Sequence, residues 1–296
     1  MTTTVGDLVQ WADRRLTQHE LCFGHGTDNA FDEAAWLVLS VAKKSAVDLQ
    51  TAWDIEVSPA QTSTLKTLIE ERIRSRKPTA YLINEAHFAG LRFYVDERVI
   101  VPRSYLGEFI PDRFCPWFEN KSVGRVLDLC TGSGCIAIAL AKAFPTADVW
   151  ASDVSQDALA VAAINLKRHQ LEERVHLVRS NFFTAIPCRD FDFIVSNPPY
   201  VCTEIMRTLP PEYRAEPPLA MEAGESGLDA VAEIFHQAYR FLTDDGILIV
   251  EAGSAAMAVE SRYPNVPFTW LTTADAQSGV CLLTKTELVQ YFAKLD

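Results

Sequence analysis

The chain has 296 residues, 48% of them hydrophobic and 22% charged, a composition that fits one large or two modest globular domains. It contains no apolar run of roughly 18 residues, so no membrane span is expected. It also shows no fixed period or biased tract, so fibrous and repeat classes are set aside. Its net charge of −12 argues against a broad phosphate-binding surface and suits a basic protein partner.

The first part reads as helical. VGDLVQWADRRL puts Val5, Leu8, Val9, Ala12 and Leu16 on one stripe. A loop around His25 follows, and then FDEAAWLVLSVAKK, with Asn29 or Asp32 as N-cap. A third helix opens at Ser58-Pro59 and closes in the basic RIRSRK cluster before Pro78. That cluster reads as a solvated helix end. Residues 84–103 alternate apolar and polar about Asp96-Glu97 and read as a β-hairpin linking two domains. SYLGEFIPDRFCPWF is an amphipathic stretch broken by Pro111 and Pro116.

From Gly124 strands and helices alternate. GRVLDLC, DVWASD, RVHLVRS, FDFIVS and GILIVEA read as buried strands, with helices at CIAIALAKAF, SQDALAVAAINLKRHQ, LDAVAEIFHQAYRFL and SAAMAVESRY. VPFTWLTT and VCLLTK, separated by ADAQSG, read as an antiparallel edge hairpin. The expected fold is α/β: a doubly wound, mostly parallel Rossmann-like sheet. Ligands of such a sheet bind at the carboxyl ends of the strands, at the switch in strand order.

Gly132-Ser133-Gly134-Cys135-Ile136-Ala137 matches G-x-G-x-x-A after a strand and before a helix, the pattern of a nucleoside-cofactor loop. Asp128 stands four residues before it, at the strand end. It would repel a pyrophosphate but suits the ammonium of S-adenosylmethionine. Asp153, ending the second strand, can accept ribose hydroxyls; its other reading is a helix N-cap.

FDFIVSNPPY carries the most information. The prolines lack N–H groups and force extended backbone before them. The turn therefore offers the Asn197 side-chain oxygen and the Pro198 carbonyl as acceptors for both hydrogens of an NH₂ group. Tyr200 adds a flat face for a planar π system.

With DLCTGSG (128–134), Asp153 in ASDVS and NPPY (197–200), the chain resembles the class I S-adenosylmethionine-dependent methyltransferases. Within them it resembles the protein-glutamine N5-methyltransferases, and most of all the subgroup acting on large-subunit ribosomal protein L-three. NEAHFAG, FYVDERVIVPRS, EYRAEPPLAMEAGESGLD and VPFTWL carry that finer likeness.

The resemblance implies that Asp128, Thr131, Gly132 and Gly134 surround the cofactor's amino-acid part, Asp153 its ribose and Asn181 its adenine. It implies that Asn197, Pro198, Pro199 and Tyr200 hold the target amide, with Asn197 also touching the cofactor. Arg103 and Glu216 would border the substrate. In the family an acid usually stands where Asn181 is, and the subgroup commonly has proline in place of Tyr105.

The chain is expected to divide into a helical substrate-recognition domain (1–83), a hairpin linker (84–103) and a catalytic domain (104–296). The expected products are N5-methylglutamine in the ribosomal protein and S-adenosylhomocysteine. The alternatives are the same chemistry on peptide-chain release factors, adenine-N6 methylation of nucleic acid, and a non-catalytic ribosome assembly factor. No stable nucleic-acid complex is expected.

Seven cysteines without a C-x-x-C pair, and six histidines without H-x-x-x-H spacing, predict neither a disulfide framework nor a metal site. The start, MTTTVGDLVQWADRR, shows no signal-peptide pattern, and the cysteine usage makes a reducing cytoplasm the expected compartment.

Overall fold

The computed structural model describes residues 3–44, 48–119, 121–273 and 279–293. Its centre is a seven-stranded sheet: β1 (Arg125–Leu129), β2 (Asp148–Asp153), β3 (Val175–Arg179), β4 (Phe191–Ser196), β5 (Leu242–Glu251), β6 (Thr269–Leu271) and β7 (Val280–Thr284). The order is β6-β7-β5-β4-β1-β2-β3. β3, β2, β1, β4 and β5 are mutually parallel, while β7 pairs antiparallel with both β5 and β6. The expected doubly wound sheet with an antiparallel edge is present, and its order reverses between β1 and β4. ADAQSG, the expected turn of the edge hairpin, falls almost wholly outside the described residues.

Each central strand is apolar on both faces because both faces are covered. Val126, Val149, Phe193 and Ile249 face the helix Cys135–Ala143 and the rings of Phe114 and Phe118. Their chain neighbours Leu127, Ile194, Leu248 and Val250 face Val231, Ile234 and Phe235 of the helix Asp229–Gln237. Leu288 and Phe292 of a last helix, Lys285–Phe292, join that second layer. This helix was not expected; its eight residues follow β7 without a break, and a Thr284–Glu287 capping box starts it.

The amino-terminal part holds α1 (Val5–Thr17), α2 (Ala30–Val41) and α3 (Pro59–Ser75). Thr4 and Ser58 cap the first and third through capping boxes, and Asn29 caps the second. The apolar stripe read from α1 is buried against Ala34, Leu37 and Val38 of α2 and Leu65 and Ile69 of α3.

Two readings are corrected. The hairpin strands are Ala86–Phe88 and Leu91–Phe93, so the chain turns at Ala89-Gly90. Asp96 instead binds Arg98 through backbone and side chain, which makes the Asp96-Glu97 region a turn beyond the hairpin. The RIRSRK cluster is not simply a solvated helix end. Arg72 is 0% exposed and its Nε donates to Glu33 at 2.7 Å, while Arg76 Nε lies 2.9 Å from buried Glu212. Arg72 and Arg76 are thereby committed to carboxylates, which leaves Arg74 and Lys77 as the exposed charges of the tract. Glu212 belongs to the turn Pro211–Ala215 after the NPPY segment. The Arg76–Glu212 pair therefore ties the helical part to the loop after the NPPY segment.

Candidate active site

The reversal in strand order opens a crevice at the carboxyl ends of β1 and β4, as doubly wound sheets require. Two cavities lie there. One, of about 560 Å³, is lined by Cys130, Gly132, Asp153, Asn181, Asn197 and Pro199, among others. The other, of about 440 Å³, is lined by Arg103, Tyr105, Asn197, Pro198, Tyr200 and Tyr213, among others. Three residues line both: Ile100, Asn197 and Ala220.

The larger cavity is framed by the loop after β1. Gly132 has φ +54°, a left-handed conformation that favours glycine, and a Cβ there would meet nothing within 4 Å. The space in front of this backbone is open to a ligand. Gly132 N–H donates to Asp153 Oδ2 and Ser155 N–H donates to Asp153 Oδ1, both at 2.9 Å. Each carboxylate oxygen accepts one bond here and can take a second. Asp153 is therefore not the helix N-cap; Ser155 is, accepting from Ala158 N–H. Asn181 lies on the cavity wall, exposed, just past β3.

Three residues expected around the cofactor do not line this cavity. Asp128 is fully buried under the loop, where its Oδ2 accepts from Thr131 Oγ1 at 2.6 Å and from Ala137 N–H at 3.1 Å. Burial pushes its carboxyl up to about 7, against both hydrogen bonds. Thr131 is buried with it. Gly134, φ +78°, packs on helix Gln156–His169; a Cβ there would stand 3.2 Å from that of Ala162. The three shape the loop from behind.

The smaller cavity is built differently. Asn197 Oδ1 is buried and has no hydrogen-bond partner among the described residues. An orphaned buried acceptor is costly unless something else satisfies it. It sits where the two cavities meet. Pro198 and Tyr200 are on the smaller cavity's wall and Pro199 on the larger one's. The Tyr200 ring lies over Gly253, where a Cβ would come within 2.5 Å of it.

Arg103 and Glu216 meet here across more than 100 residues. The guanidinium grips the carboxylate two-pronged, Nη1 on Oε1 at 2.5 Å and Nη2 on Oε2 at 2.7 Å. Glu216 is 1% exposed, also accepts from Val101 N–H, and lies 3.5 Å from His25 Nε2. Burial opposes its ionisation, but His25 and Arg103 outweigh burial and hold the carboxyl down at about 2. Glu216 is buried and Arg103 half-buried: the pair closes the wall beside Tyr213, whose ring lies under the Arg103 guanidinium. Sequence reasoning missed the anchoring role of His25 and Glu212, and also Glu251 at the end of β5. Only Glu251 carried a signal, an acid at the carboxyl end of a buried strand.

Residues 114–208 match the methyltransferase small domain and residues 7–83 the PrmC N-terminal domain. The ribosomal protein uL3 glutamine methyltransferase of Francisella tularensis is 44% identical, over 97% of this chain and 92% of its own. The chain belongs to this methyltransferase family. Enzymes of the same name from Burkholderia pseudomallei and Neisseria meningitidis serogroup A are each also 44% identical, over 96% and 97% of this chain and 95% of theirs. Among the described residues no cluster of three or more metal-ligating side chains exists, and no helix is long and apolar enough to cross a membrane.

Proposed function

We propose that the protein transfers a methyl group from S-adenosylmethionine to the side-chain amide nitrogen of a glutamine in ribosomal protein uL3. The single observation that carries this is Asn197: its orphaned Oδ1 sits at the junction of a nucleoside-sized cavity and a second, partly aromatic one. S-adenosylmethionine supplies an electrophilic methyl group on a sulfonium.

On the donor side, the open backbone at Gly132 admits the amino-acid end, Asp153 accepts the ribose hydroxyls and Asn181 faces the adenine. Asp128, Thr131 and Gly134 keep the loop in shape. On the acceptor side, the amide nitrogen is a poor nucleophile because its lone pair is delocalised into the carbonyl. Asn197 Oδ1 and the Pro198 carbonyl each accept one of its hydrogens. That fixes the plane of the NH₂ group and aims the nitrogen across the junction. Tyr200 and Pro199 confine the amide, and the Arg103–Glu216 pair sets the wall behind it. Orientation of this kind is worth roughly 7–11 kcal/mol of barrier when complete. The nitrogen gains the methyl group and then loses one proton, which needs no strong base. The products are N5-methylglutamine and S-adenosylhomocysteine.

Residues 1–83 recognise the protein substrate, 84–103 link the domains and 104–296 carry the catalysis. An acidic chain suits a basic ribosomal protein as partner. Its seven free cysteines suit the cytoplasm. The test is mass spectrometry of purified uL3 after incubation with the protein and S-adenosylmethionine. A gain of one CH₂ on a glutamine side chain is expected. Unmodified uL3 beside modified release factor or nucleic acid would overturn the substrate.

A further inference from the structure

Glu251 ends β5, and its chain neighbour Val250 pairs with Ser196, the residue before Asn197. The side chain is 1% exposed, and among the described residues no basic group forms an ion pair with it. Two hydroxyls reach it instead. Ser104 Oγ donates to Oε2 at 2.5 Å, and Tyr200 Oη donates to Oε1 at 3.4 Å. Ser104 Oγ in turn accepts from Leu106 N–H, which fixes the turn that carries Tyr105 on the cavity wall.

We propose that Glu251 is a positioning residue for the methyl acceptor: as a carboxylate it takes the Tyr200 hydroxyl hydrogen, leaving the hydroxyl lone pairs for the target amide. This rests on the functional reading above. A hydroxyl has one hydrogen and two acceptor sites. While that hydrogen is committed to Glu251, the oxygen can only accept on its open side. Tyr200 then shares, as the second acceptor of a bifurcated bond, one of the two amide hydrogens held by Asn197 Oδ1 and the Pro198 carbonyl. A protonated Glu251 can donate to Tyr200 instead, which frees the phenolic hydrogen to point at the amide as a competing donor.

Burial pushes the Glu251 carboxyl up to about 7, against hydrogen bonds from Ser104, the Tyr105 and Leu106 N–H groups and Tyr200. Among the described residues, the other titratable or charged groups acting on the Tyr200–Glu251 pair are Tyr105 and Arg103, from the 103–106 turn. Arg103 is neutralised by Glu216, and β7 pairs Val280 with Glu251. The productive form is therefore the one that prevails as pH rises through about 7.

The experiment compares wild type, Glu251→Gln and Glu251→Asp with uL3 as substrate. In Glu251→Gln the new side-chain amide keeps the shape of the carboxylate but can donate to Tyr200. The kcat of this variant is expected to fall on the order of ten-fold, the effect of one hydrogen bond to a charged group. Its KM for S-adenosylmethionine and its thermal midpoint should stay unchanged, and the rise of kcat between about pH 6 and 8 should vanish. Glu251→Asp should keep that rise. Wild-type kcat and pH profile in Glu251→Gln would overturn the proposal. So would a loss of kcat explained wholly by a lowered thermal midpoint. Wild type failing to modify uL3 would overturn the functional reading, and this inference with it.

Discussion

The two halves of the crevice are built by opposite strategies. The donor side is local: Asp128 to Gly134, Asp153 and Asn181 come from three successive strand ends, and the loop is held by backbone N–H bonds to Asp128 and Asp153. The acceptor side is assembled from distant chain: His25, Arg103, Asn197 to Tyr200, Glu216 and Glu251, locked by buried carboxylates. A cofactor used unchanged by many enzymes can be read by a self-contained loop. A protein side chain must be admitted from outside, and the wall of its pocket is braced from the amino-terminal helical part by His25 against Glu216.

The difference can be broken most severely at Glu216. Glu216→Ala leaves the Arg103 guanidinium without its buried partner. The expected cost is about 3–5 kcal/mol, toward the lower end because Arg103 is partly exposed. Chemical denaturation would measure it, and a variant as stable as wild type would refute the anchoring role. The pH dependence has a definite sign. Because the folded carboxyl ionises near 2, below its usual 4.5, the pair's stabilisation is complete above about 4.5 and is lost as pH falls toward 2.

On the donor side, Asp153→Ala removes the acceptor of two N–H groups and, on the proposed reading, of the ribose. S-adenosylmethionine binding by calorimetry should weaken on the order of ten- to hundred-fold. Wild-type affinity would remove Asp153 from the binding role. Gly134→Ala asks an L-residue to hold φ +78° with its Cβ 3.2 Å from that of Ala162. Urea denaturation should show a loss of about 1–2 kcal/mol. Arg15→Ala, by contrast, breaks only an exposed pair with Glu70. Its expected cost is under about 1 kcal/mol, and a larger one would mean that the amino-terminal helices depend on surface charge.

The same contrast explains what could be read in advance. Strand–loop–helix spacing and the G-x-G pattern are local, so the sheet, its edge and the Gly132 and Asp153 positions were legible. NPPY was legible because proline restricts the backbone wherever it stands. The inward turn of Arg72 and Arg76 was not, since a basic helix end looks the same whether water or a buried carboxylate faces it. Nor was the Ala89-Gly90 turn: the alternation of residues 84–103 marks extended chain, but two flanking strands of three residues leave several registers equally compatible with the pattern. The Arg103–Glu216 pair spans 113 positions, a separation that no local period reports.

The central claim is that Asn197 separates two tasks, donor binding and acceptor activation. The direct test is Asn197→Ala, measured twice: S-adenosylmethionine affinity by calorimetry and single-turnover methylation of uL3 by mass spectrometry. Affinity close to wild type is expected beside a rate lower on the order of 10²–10³-fold, the scale of losing one preorganised hydrogen-bonding group aimed at the reacting atoms. Equal loss of both, or an unchanged rate, would contradict it.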